Sequence, residues 1–162
     1  VKALGIPAIA LVLVCCSRNR PGDCIGELPP KESASTFDQA LATKLGADEY
    51  GMKVYVMAFL KAGPNRNLDS TQSADLQQAH MDNIGRMAKS GKLIVAGPFM
   101  DDGDVRGIYI FNVPTIEEAE ALTKTDPAIK AGSLVMELHQ WYGSAALVES
   151  AERHKAVAEK EF

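Results

Sequence analysis

From residue 52 the chain alternates in a way that only an extended strand explains. In MKVYVMAFLK, Val54, Val56, Ala58 and Leu60 fall on one side and Tyr55, Met57 and Phe59 on the other, so a strand over 52–61 is apolar on both faces. Residues 62–71 hold Gly63, Pro64 and Asp69, the chemistry of a loop ending near a helix cap. The period then changes to that of a helix. Leu76, Ala79, Ile84 and Met87 share a stripe over 73–90, and Gly91 provides the stop. A short apolar run at 92–96 closes on Gly97-Pro98-Phe99, and Asp101, Asp102, Gly103 and Asp104 form a tight connection to a strand at 106–113. These two strands make a hairpin. Thr115 and Glu118 have the T-x-x-E spacing of a helix start, Ile116, Ala119 and Leu122 give that helix a buried stripe, and Asp126-Pro127 ends it. A last strand, 133–141, sets Leu134, Met136 and Leu138 against Val135, Glu137, His139 and Trp141. A polar, Ala-rich helix over 144–161 is expected to pack on an outer surface.

The order β-α-β-β-α-β defines an α+β fold of ferredoxin-like type, with two helices on one face of a four-stranded antiparallel sheet. The opposite face is left bare by this count. Tyr55, Met57, Phe59, Val135 and Trp141 would line it, and an apolar area of that size calls for a cover. A homodimer formed by stacking two open sheet faces is the expected solution.

Upstream of residue 51 the pattern is different. A lysine, an apolar run from Ala3 to Val14, and Cys15, Cys16 and Ser17 have the arrangement of a bacterial secretory signal, too short for a transmembrane span of ~20 residues. The paired cysteines point to the lipoprotein variant, with Cys16 as the lipidated residue. The expectation is therefore an exported protein, periplasmic or held at the membrane by that anchor alone. Residues 17–35 are rich in Pro, Gly, Ser and charge and read as a tether. A short helix follows, with Thr36 to Gln39 in capping-box spacing, Leu41 and Leu45 on one face and Gly46 as its stop. The expected organisation is a signal-like segment at 1–16, a linker with a short helix at 17–50, a domain at 51–143 and a C-terminal helix at 144–162.

Composition narrows the function classes. The chain of 162 residues is 46% hydrophobic and 23% charged, the balance of a folded domain. A net charge of -4, with no Lys/Arg stripe among aromatics, argues against a nucleic-acid partner. All three cysteines precede residue 25 and have neither C-x-x-C spacing nor a nearby histidine, so neither a disulfide framework nor a zinc site is expected. The aspartates at 101, 102 and 104 lack the closing glutamate of a calcium loop. Dinucleotide, nucleotide and zinc-hydrolase motifs are missing from the sequence, and an enzyme built on it is expected to work without a cofactor.

Several stretches in order, Lys61-Ala-Gly-Pro64, Ala79-His80, the run from Ser90 to Pro98, Glu117-Glu-Ala119, Thr125-Asp-Pro127, Ala131-Gly132 and the run from Glu137 to Trp141, resemble the YCII-related domain family. The resemblance spans about ninety residues. It implies a dimeric α+β barrel related to muconolactone-isomerase-like proteins and a histidine–aspartate active site; one relative is a dehydrochlorinase acting on a chlorinated hydroxyquinol. Most members have no assigned substrate.

With that resemblance, His80 and Asp126 become the candidate catalytic pair. An imidazole can accept and donate a proton near neutrality, and a carboxylate can orient it and stabilise its charged form. Each has a plainer reading: a hydrogen-bonded histidine on a helix surface, and an aspartate bonding backbone N–H groups in a turn before proline. The aspartate's two roles are compatible if each oxygen serves one. Gly97 and Pro98 are candidates for the wall of a substrate pocket, since glycine permits close approach. His139 and Trp141 share a sheet face where an imidazole and an indole can bind a flat substrate, or can form core and dimer interface. The expected activity is proton movement on an unknown small molecule, of isomerase or lyase type; the alternative is a noncatalytic ligand-binding or scaffold dimer.

Overall fold

The computed structural model describes residues 37–160. The expected signal segment, Cys16 and the tether lie outside these described residues. The first described element, α1 (Gln39–Leu45), is capped by Asp38, whose Oδ1 accepts from the Leu41 amide at 2.9 Å. The cap therefore falls two residues after Thr36, where the capping-box spacing had placed it. Gly46, at φ 70°, stops the helix in the left-handed conformation, as its position predicted.

Four strands follow: β1 (Met52–Ala62), β2 (Leu93–Pro98), β3 (Val105–Phe111) and β4 (Leu134–Ser144). They pair antiparallel throughout in the order β2-β3-β1-β4, so the long strand β1 sits inside the sheet between β3 and β4. Between the strands lie α2 (Ser70–Lys89), α3 (Ile116–Thr123) and the single turn α4 (Pro127–Lys130). This is the ferredoxin-like α+β arrangement that the order of elements predicted.

Helix α2 starts three residues before the predicted position. Asp69 accepts from the Gln72 amide at 2.8 Å and the Gln72 side chain accepts from the Asp69 amide at 3.1 Å, a reciprocal capping box. The first turn is polar, so hydrophobic periodicity does not register it. At the other boundary, Asp126 does not end a helix but begins one: α3 is over by Thr123, and Asp126 is the N-cap of α4 with Pro127 at its first position.

The sheet separates two apolar clusters. On the helix side, Val56, Ala58, Leu60, Leu93, Tyr109 and Phe111 pack with Met87 of α2 and Ala119 of α3, with Leu134, Met136 and Leu138 at the margin. On the other side Tyr55, Ile94 and Ile110 form a second cluster with Met57, Val95 and Trp141. That face is not bare. The segment beyond β4 is a 3-10 turn, Ala145–Glu149, followed by the short helix α5 (Ser150–Val157), where one continuous helix was expected. Leu147 and Val148 of the turn pack on the second cluster, and Tyr55 donates from its hydroxyl to the Ser144 carbonyl at 3.0 Å. Trp141 folds back over Gly143, where any Cβ would meet the indole ring at 2.2 Å. Glycine is thus what lets the strand end and the indole occupy one place. The uncovered part of this face carries Phe59 and the exposed Val135, His139 and Glu137.

Candidate functional site

Helix α2 brings four residues toward the sheet at helical spacing: His80, Asn83, Ile84 and Met87. Two of the buried ones are polar. His80 is 7% exposed and Asn83 4% exposed, so each requires partners inside the protein. The turn between α3 and α4 and the strand β3 supply them.

Asp126 is fully buried, and its two oxygens divide the work. Oδ2 lies 2.8 Å from Nδ1 of His80, and Oδ1 accepts from the Ala128 amide at 2.9 Å. The sequence reading allowed a capping role and a histidine-orienting role together on this condition, and the geometry meets it. A carboxylate of 0% exposure requires partners inside the protein, and the His80 imidazole and the Ala128 backbone N–H supply them. The neighbouring residue holds the turn in position. Thr125 places its hydroxyl 3.0 Å from Oδ1 of Asn83, which also accepts a close hydrogen bond from the Arg86 guanidinium. His80 and Asn83, three residues apart on α2, thus grip two consecutive residues of one turn.

The other imidazole nitrogen faces β3. Nε2 lies 3.2 Å from the Tyr109 hydroxyl, and the two rings are nearly parallel at 18° with centroids 6.3 Å apart. Tyr109 is 2% exposed, and its ring stands perpendicular to that of Phe111 with centroids 5.7 Å apart. Burial, reinforced by the negative charge of Asp126, pushes the Tyr109 phenol well above its ordinary range, so it is a hydrogen-bond donor and not an anion here. Sequence reasoning missed Tyr109 and Asn83. The available signals were the spacing of three from His80 to Asn83, and the alternation along β3, which places Tyr109 on the same face as Phe111.

The remaining predicted residues lie elsewhere. His139 is in register with Met57, one residue beyond the Leu138–Ala58 pair that faces the helices, so it stands on the opposite side of the sheet from His80. There Nε2 of His139 lies 2.9 Å from Oε1 of Glu137, the ring meets Phe59 edge-on at 5.7 Å, and Glu137 also forms a close ion pair with Lys61. The Lys61 ammonium, with help from His139, holds the Glu137 carboxyl below the usual carboxylate range. Trp141 belongs to the cluster beneath the 3-10 turn, with its ring centroid 6.0 Å from that of Tyr55. Gly97 and Pro98 end β2 opposite Ile108 and Gly107. Nothing approaches the Cα of Gly97 closely enough to meet a Cβ; the tight contact belongs to Gly107, where a Cβ would meet the Gly97 carbonyl oxygen at 2.5 Å. The structure therefore joins His80 to Asp126 and sets His139 and Trp141 apart from them. Among the described residues no group of acidic, histidine and cysteine side chains has the arrangement of a metal site.

The fold and the buried pair define a ferredoxin-like α+β domain with a histidine–aspartate hydrogen bond between its first long helix and the turn that precedes its last strand. The chain belongs to the YCII-related domain family, whose model matches residues 54–142. Among solved structures it is similar to the 5-chloro-2-hydroxyhydroquinone dehydrochlorinase of Burkholderia phenoliruptrix AC1100, in complex with 2,5-dihydroxybenzoquinone. That similarity is 22% in sequence with a TM-score of 0.41, over 55% of this chain and 93% of that one. The comparison with curated proteins gives no match.

Proposed function

We propose that the chain is a cofactor-independent acid–base enzyme of isomerase or lyase type, in which His80, oriented by Asp126, moves a proton on a small molecule. The observation that carries this reading is the 2.8 Å contact between Nδ1 and a carboxylate of 0% exposure. Burying such a pair is costly compared with packing apolar residues of the same volume, and a site that orients a base gives a reason for the cost. In the proposed step, a proton passes from a substrate O–H or C–H to Nε2 of His80, while Nδ1–H stays bonded to Asp126, which stabilises the imidazolium as it forms. The proton then returns to a different substrate atom or leaves with the eliminated group.

One observation favours a second reading, a noncatalytic ligand-binding module: in this structure both imidazole nitrogens already have internal partners. A thermal-shift screen of small polar and aromatic molecules on wild type and His80→Ala discriminates the two, since a specific ligand raises apparent stability. Compounds that shift wild type and not His80→Ala are then assayed for turnover. Conversion by wild type that disappears in His80→Ala is the expected result; conversion that survives the substitution sinks the acid–base reading, and binding without conversion supports the module.

Two further proposals concern the whole chain. Self-association uses the part of the open sheet face around Phe59 and Val135 that the C-terminal segment leaves uncovered, and light scattering on wild type and Phe59→Asp reads it. Export with acylation at Cys16 would give a mature chain starting there with added lipid mass; an intact, unmodified N-terminus in mass spectrometry refutes it.

A further inference from the structure

We propose that Tyr109 is a positioning residue of the His80 site: its hydroxyl occupies Nε2, locks the imidazole as the Nδ1–H tautomer and keeps the basic nitrogen masked in the resting protein. The inference rests on the reading of His80 as the base of this site and adds a third member to it.

Counting hydrogens leads to the assignment. The Asp126 carboxylate accepts, so the hydrogen between Oδ2 and Nδ1 sits on the imidazole. In the neutral ring Nε2 then carries a lone pair, and the Tyr109 hydroxyl donates to it across 3.2 Å. The opposite arrangement is the costlier one in the resting protein. An imidazolium would donate from Nε2 to the phenol oxygen and leave the phenol hydrogen without an acceptor, because among the described residues His80 is the hydrogen-bond partner of that hydroxyl. With Tyr109 at 2% exposure, such an orphaned donor is costly. The donors consequently converge on the carboxylate: the Tyr109 hydroxyl to Nε2 and Nδ1–H to Oδ2 from one side, and the Ala128 amide to Oδ1 from the other.

The masking has a consequence for chemistry at this site. Nε2 can accept an external proton only after the Tyr109 hydroxyl has turned its hydrogen away, a rotation about the phenol C–O bond that moves neither ring. Tyr109 therefore governs when His80 is a free base, without itself having to touch a ligand.

The test uses the full chain with 15N-labelled histidine, whose three residues are separated by the signal that His80→Ala removes. In wild type the His80 spectrum should show Nδ1 protonated and Nε2 as a hydrogen-bonded acceptor. In Tyr109→Phe, which retains the ring and its contact with Phe111, Nε2 should move to the position of a free acceptor, with Nδ1 unchanged. Site-specific 3-fluorotyrosine at 109, a stronger donor, should move Nε2 in the opposite direction. Carbethoxylation of His80 by diethyl pyrocarbonate should accelerate about three- to tenfold in Tyr109→Phe, the range expected for losing one hydrogen bond. An Nε2 signal and a modification rate indifferent to both changes at 109 overturn the proposal. Since none of these readouts requires turnover, their failure is distinct from survival of activity in His80→Ala, which would overturn the acid–base reading instead.

Discussion

At the scale of single residues, Asp126 makes two hydrogen bonds that substitution can separate, one to His80 and one capping α4. Asp126→Ala removes the α4 cap and strips the partner from a buried imidazole N–H. A lost cap and an unsatisfied donor together predict a stability loss of about 2–4 kcal/mol, read by urea denaturation. Asp126→Asn is a different lesion. Its carbonyl oxygen can still accept from the Ala128 amide, but its NH2 then faces Nδ1, where two donors cannot coexist. The imidazole must turn to the Nε2–H tautomer, with its hydrogen directed at the Tyr109 oxygen. We expect Asn to keep the cap and recover only part of the stability that Ala loses, because the Tyr109 hydrogen is left without its acceptor, and to reduce any His80-dependent turnover at least about a hundredfold. An Asn variant as unstable as the Ala variant would show that capping and orientation cannot be separated.

At the scale of elements, the backbone between β1 and α2 is strapped to the turn before β4. Gly63 donates its amide to the Ser133 carbonyl at 2.8 Å and Asn65 donates to the Gly132 carbonyl at 3.0 Å. A Cβ on Gly63 would stand 2.2 Å from that same Gly132 oxygen, which is backbone and cannot swing aside. Gly63→Ala should therefore cost at least about 2–3 kcal/mol, the upper range for overpacking, as a lowered midpoint in thermal unfolding. This strap also explains what was legible in the sequence. Alternation and helical period locate every strand and the helices α2 and α3, because those elements owe their form to which side is buried. Polar starts escape such reading: the first turn of α2 is specified by the Asp69–Gln72 exchange, and α4 by a carboxylate whose second oxygen serves a histidine 46 residues away. The site was half legible for the same reason. His80 and Asp126 carry recognisable chemistry, while Tyr109 reads as one more aromatic on a strand until the fold places its hydroxyl against an imidazole. His139, equally recognisable, proves to be on the other face, since one step along a strand reverses a side chain's direction.

At the scale of the whole molecule, stability should fall on the alkaline side. Burial raises the Tyr109 and Tyr55 phenols above the ordinary value of 10.0. A group whose folded pKa lies above its unfolded value contributes its full stabilisation below the unfolded pKa, and that contribution is lost as pH rises beyond it. Unfolding free energy should thus decline from about pH 10 upward, and Tyr109→Phe should flatten the decline, as denaturant titrations across that range will register. A flat profile in wild type would contradict the burial of both hydroxyls.

The C-terminal segment decides how much of the second sheet face is available to anything else. A bare face was the expectation from the count of helices, and it is wrong for the half in which Leu147 and Val148 cover Tyr55, Ile110 and Trp141. The segment is short, and α5 itself buries no residue fully, so the attachment depends chiefly on the 3-10 turn, whose buried Ala145 donates its amide to the Gly51 carbonyl at 2.9 Å. Removing residues 145–162 should forfeit the partial burial of two aliphatic side chains, about 2–4 kcal/mol. It should also expose a continuous apolar face from Trp141 to Phe59, too large to remain in water unpaired. The truncated chain should associate at lower concentration than the full one in sedimentation equilibrium, and bind more hydrophobic dye when dilute. Unchanged association and dye binding would mean that the turn covers nothing the solvent could reach, and the cluster beneath it would have to be closed by the strands alone.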